Sequence, residues 1–192
     1  MRLGVAALLG GLVVFAWGFV SHMVLPVGEM GHGQAGNEDV VLSALQEGLP
    51  AREGVYFVPG LAPEQYNDEA AAAAYSAKAV ANPNAVIFYQ PVGRDGMDMT
   101  PQLVNEWITN TLSALLVAWV LALGAFGFGK RVAIATVMGL FAWLAVSVPY
   151  WNWYRFPLDF TLGSLITHVV GWFMAGLVMA WWLGRGQARP GL

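Results

Sequence analysis

The sequence contains no cysteine, which excludes disulfides, thiolate metal sites, cysteine nucleophiles and thioether-attached haem. It is also poor in charge. Only 11% of its 192 residues are Asp, Glu, Lys or Arg, against about 25% in soluble domains, whereas 57% are hydrophobic. That imbalance makes lipid part of the expected solvent. No basic run is present to form a nucleic-acid surface. No Walker loop, HExxH, GxGxxG or hydrolase motif occurs, which argues against a conventional soluble active site. The lack of an Asn-x-Ser/Thr acceptor favours a bacterial source over a glycosylating secretory route.

The charges that are present are segregated. Of the 12 acidic residues, 11 lie between Glu29 and Glu106, so the first half of the chain carries a polar insert between apolar flanks. Residues 3–25 hold no Asp, Glu, Lys or Arg, and at about 1.5 Å per residue they are long enough to cross a hydrocarbon core about 30 Å thick. Three further stretches, about 105–128, 132–150 and 160–183, meet the same length criterion, giving an expectation of four spans. Residues 3–25 run past Ala16-Trp17-Gly18, a conceivable cleavage site, and read as an uncleaved anchor.

Orientation is set by the cations. Arg2, Lys130, Arg131, Arg185 and Arg189 punctuate one set of span ends, which places both termini in the cytoplasm and residues 26–102 on the periplasmic or extracellular side. The aromatic residues Trp107, Tyr150, Trp151, Trp153 and Tyr154 at the outer ends, and Trp181 and Trp182 at the inner end, suit the headgroup layer. The Tyr150–Tyr154 cluster has an alternative use as a binding lip.

Within residues 26–102 the pattern changes to capped, interrupted segments. Asn37 is placed to cap a helix reaching about Glu47, with Glu38 and Asp39 near its positive end. Pro63 suits the first turn of a second helix whose Tyr66, Ala70, Ala73, Ala77 and Val80 share a face, and Asn82-Pro83 stops it. GVYFVPG (54–60) and AVIFYQP (85–91) read as strands, paired in parallel or antiparallel. Two strands alone are marginal in water, so the sheet is expected to lean on its helices, the membrane or a partner.

Polar side chains inside the spans fall at one depth. Counting about 1.5 Å per residue from the inner ends, His22 and Asn110 lie ~30 Å up, His168 ~25 Å and Ser147 ~24 Å. Helical spacing groups Glu106, Asn110 and Ser113 on one stripe and Ser164, His168 and Gly171 on another. His22, Glu106, Asn110, Ser113, Ser147 and His168 therefore form a candidate polar layer within the outer leaflet. Its plainest account is interhelical hydrogen bonding, worth about 0.6 kcal/mol per bond; its functional account is a site or relay. If a pocket exists, it is expected where these residues converge, with His22 and His168 facing the bundle interior.

No cofactor is required by the sequence. Two weaker alternatives are haem b between His22 and His168, and copper at the outer pairs Met30/His32 and Met97/Met99, whose thioether and imidazole donors suit Cu(I). A small transporter using Glu106, His22 and His168 is a further alternative, although no internal repeat is evident. The leading expectation is a non-enzymatic component of an envelope complex, embedded in the bilayer and bound to another membrane or periplasmic protein or to itself. The small-residue series Gly4/Gly11/Gly18 and Gly176/Ala180/Gly184 favour helix association.

WGFVSHMVLP (17–26), GVYFVPG (54–60) and NEWITNTLSALL (105–116) resemble segments of four-span bacterial inner-membrane proteins. That resemblance implies a bacterial inner-membrane setting and brings no catalytic residues. The layout, a large first outer loop and a small second one, is also similar to claudin-like proteins, without their paired cysteines. The expected fold class is thus a membrane all-α protein: a four-transmembrane-helix bundle (helix 1 at 1–25, helices 2–4 within 103–192) with a small α+β domain inserted between helices 1 and 2.

Overall fold

An apolar stretch in lipid satisfies its backbone by forming a helix, and most of this chain does so. The computed structural model describes residues 1–185; Arg189, expected at the inner face, lies outside them. The elements in chain order are α1 (Arg2–Phe19), continued by a π-helical turn (Val20–Val24), α2 (Glu38–Gly48), β1 (Gly54–Val58), a 3-10 turn (Pro63–Gln65), α3 (Glu69–Ala81), β2 (Ala85–Tyr89), α4 (Thr100–Ala122), α5 (Phe128–Tyr154) and α6 (Leu158–Gly184). They form two units: Met1–Gly33 together with the described residues from Met97 onward, and Gln34–Gly96.

Among the described residues, three helices are long and apolar enough to cross a membrane: Arg2–Val24, Phe128–Tyr154 and Leu158–Gly184, with mean hydropathies of 2.2, 2.0 and 1.7. The expected second span, 105–128, does not join them. Its helix α4 is displaced toward the N-terminus, starting where Asp98 Oδ1 accepts from the Thr100 backbone N–H (3.1 Å) and ending before the Gly124–Gly127 break. Asn105, Glu106, Thr109 and Asn110 dilute its apolar content.

The other ends also differ from expectation. α5 passes through Pro149 to Tyr154, beyond the expected 150, and stops at Arg155, whose φ of 56° is left-handed. Tyr150 holds this extension together, its ring 5.6 Å from Tyr154 and 5.4 Å from Phe156. The Tyr150–Tyr154 cluster is therefore mostly the last turn of a helix.

In the first unit α1 packs on α4 and α6, and α5 packs on α6, whereas α4 and α5 barely meet. The buried cluster contains ten residues of which five are alanine, so the helices approach through small side chains. Other large side chains point outward instead: Leu8, Leu12, Trp119, Leu123 and Leu144 are exposed, as suits a lipid-facing coat. The expected Gly4/Gly11/Gly18 seam is corrected at two of its three positions. A Cβ at Gly4 or Gly18 would meet nothing within 4 Å, whereas one at Gly11 would lie 2.6 Å from the Thr111 Cα, and one at Gly10 2.7 Å from the Met179 Sδ. At the other series, a Cβ on Gly176 would lie 2.9 Å from the Ala135 Cβ, so that surface is used inside the chain, between α5 and α6.

In the second unit Asn37 caps α2, its Oδ1 accepting from the Val40 N–H at 3.2 Å. The second helix starts later than Pro63, which opens only the 3-10 turn. Asp68 is the stronger cap: its Oδ1 accepts from both Ala70 and Ala71 N–H groups (2.9 and 3.1 Å), and α3 begins at Glu69. α3 ends before Asn82, whose Nδ2 donates to the Lys78 carbonyl. The strands pair antiparallel, Gly54 opposite Tyr89 and Val58 opposite Ala85. Neither strand and neither helix of this unit has a buried residue. The expected face is open rather than packed, with Tyr66 64% and Val80 87% exposed.

Candidate functional site

Because α4 and α5 are held apart, α1 and α6 form the back of a cavity of about 750 Å³ between them. Five of the six residues of the expected polar layer line it: His22, Glu106, Asn110, Ser113 and His168. The sixth, Ser147, is buried on α5 where it meets α6, and reaches the site indirectly. Its Oγ lies 2.8 Å from Ser164 Oγ, which is 3.4 Å from His168 Nδ1.

His22 lies within the π-helical turn. Leu25 N–H donates to the Val20 carbonyl five residues back (2.8 Å), inserting an extra residue into the turn and changing the helical phase of the residues downstream. Residues 26–33, expected as part of the outer domain, then fold back over the helix ends. Gly28 N–H donates to the Ser21 carbonyl at 2.9 Å, and the absence of a side chain at Gly28 leaves room for the His22 ring. Glu29 Oε1 lies 2.9 Å from His22 Nδ1. The hydrogen bond from His22 lowers the Glu29 pKa below its ordinary 4.5; burial opposes it in part, and the charges of His32 and His22 add to it.

His168 is fixed differently. Its Nδ1 is 2.8 Å from the carbonyl of Ser164, an oxygen that only accepts, so Nδ1 carries the proton and neutral His168 keeps Nε2 as an acceptor. On α4, Asn110 Nδ2 donates to Glu106 Oε1 at 2.9 Å, one helical turn apart. That bond holds the carboxylate at one oxygen and leaves Oε2 available.

The remaining lining is apolar and aromatic, including Phe15, Trp17, Phe19, Met138, Phe141 and Trp172. Trp17 was not singled out in the sequence, yet its Nε1–H donates to the Thr167 carbonyl (2.9 Å) and ties α1 to α6. Thr167 was missed as well. Its Oγ1 is buried, makes no hydrogen bond among the described residues, and belongs to the cavity wall. Its signal was adjacency to His168, a weak one on a helix where neighbours in sequence point about 100° apart.

The outer Met/His pairs are dispersed. Met30 packs where Gly163 leaves space on α6, His32 meets the Phe160 ring edge-on at 5.4 Å, Met99 lines the cavity, and Met97 has an exposed side chain. Among the described residues no three His, Asp or Glu side chains cluster as metal ligands. Comparison with protein-family models, curated proteins and solved structures finds no match to this chain.

Proposed function

We propose that this chain is a multi-pass protein of the bacterial inner membrane that binds a small amphipathic molecule in the cavity between α4 and α5. In this reading all four long helices cross the bilayer as a bundle, α4 being tolerated because its polar face turns to the cavity. The termini are cytoplasmic and residues 34–96 periplasmic, with the inserted unit serving as the outer domain. The observation that carries the proposal is the cavity itself: about 750 Å³, apolar over most of its wall, with His22, Glu106, Asn110, Ser113 and His168 converging on it from three helices. Ligand sites share this make-up, an apolar volume of about 300–1,000 Å³ with a few convergent polar groups.

Native mass spectrometry of the protein extracted from its own membranes tests the reading. Gly18 lines the cavity, and a Cβ there would meet nothing within 4 Å, so Gly18→Phe is expected to narrow the cavity without a backbone clash at its Cβ. The wild type is expected to retain small-molecule adducts that Gly18→Phe loses; identical adduct profiles would overturn the proposal.

A second reading, a docking component of an envelope complex, is favoured by one specific observation: the helices and strands of residues 34–96 bury none of their residues. Such a unit gains its apolar burial elsewhere. Extraction in mild detergent is expected to bring down a stoichiometric partner, and a monodisperse monomer would count against this reading.

A further inference from the structure

Resting on the cavity reading, we infer that the molecule bound there is a lipophilic cation. The lining contains one carboxylate, Glu106, and no lysine or arginine. Asn110 occupies Glu106 Oε1 and leaves Oε2 for an incoming group. The acid at the other histidine, Glu29, balances any charge on His22. Glu106 is exposed, and no lysine or arginine forms an ion pair with it among the described residues, so its carboxylate is open to an incoming cation.

The aromatic lining points the same way. Trp17, Phe19, Phe141 and Trp172 line the cavity, and the ring faces of such side chains attract cations by about 0.5–2 kcal/mol. Trp17 is locked in place by its bond to the Thr167 carbonyl, so part of this surface is preorganised. The neutral ring of His168 keeps Nε2 as an acceptor, which suits a donor or a cation. An apolar body with a positive centre matches all three features. A carboxylate or phosphate head matches none.

Two probes of the same shape and opposite charge separate the possibilities: tetraphenylphosphonium and tetraphenylborate. Binding is measured by equilibrium dialysis and tryptophan quenching on the full chain in phosphatidylcholine nanodiscs, with empty nanodiscs subtracted for partitioning. Tetraphenylphosphonium is expected to bind saturably and at least about tenfold more tightly than tetraphenylborate, a difference equivalent to about 1.4 kcal/mol. Glu106→Gln retains an oxygen for Asn110 and should weaken the cation about tenfold while leaving the anion unchanged or tighter. Glu106→Asp should restore the preference for the cation. Equal or preferred binding of tetraphenylborate, or an unchanged cation affinity in Glu106→Gln, overturns the charge inference while the cavity reading stands, provided that Gly18→Phe blocks binding. Undiminished binding in Gly18→Phe overturns the cavity reading itself.

Discussion

Replacing Gly11 by alanine tests the packing that holds the first unit together. In an open helical position Gly→Ala stabilises by up to about 1 kcal/mol, because alanine has less backbone freedom to lose. Gly4 provides that reference, since a Cβ there would meet nothing within 4 Å. At Gly11 the same methyl would sit 2.6 Å from the Thr111 Cα and 2.9 Å from its backbone nitrogen. These are main-chain atoms of α4, which have no rotamer through which to yield, so α1 and α4 must separate. Overpacking of this kind costs about 1–3 kcal/mol, and a backbone clash belongs at the upper end. Subtracting the propensity gain leaves Gly11→Ala destabilised by about 2 kcal/mol, against up to about 1 kcal/mol of stabilisation for Gly4→Ala. Reversible unfolding by SDS titration, followed by tryptophan fluorescence, reads the difference. Equal midpoints for the two variants would refute the close crossing at Gly11.

Two further outcomes are expected. Arg131 is 3% exposed, its Nε is buried without a hydrogen-bond partner, and it forms no ion pair among the described residues, so Arg131→Met should leave stability unchanged or raise it by about 1–4 kcal/mol. A loss of stability in the same titration would mean that an anion neutralises this guanidinium in the membrane. Glu29 has a depressed pKa, so the stabilisation from its contact with His22 is fully present above the ordinary 4.5 and is lost as pH falls through the lower folded value. The side-chain carboxyl NMR signal of Glu29 should titrate with a midpoint below 4.5, and a midpoint at or above 4.5 would contradict the assigned contact.

Chain length and composition were enough to establish that the protein is largely helical and apolar, because a backbone in hydrocarbon has few ways to pair its own donors and acceptors. Local capping chemistry was equally legible: Asn37 starts α2 and Asn82-Pro83 comes directly after α3, since these side chains act within a few residues of themselves. That Glu106, Asn110 and Ser113 lie on one stripe was legible from helical spacing, because residues three or four apart share a face. Only the tertiary structure decided how those groups are used. His22 lies at the cavity within the π-helical turn at Val20–Val24 and is held by Glu29, and Ser147 drops out of the lining to act through Ser164. Likewise three glycines at heptad intervals look equivalent in sequence, yet only Gly11 of the three meets a neighbouring helix, because two straight rods cross at one point. The cavity exists for the same reason: α4 and α5 diverge, a relation between segments that no local pattern encodes.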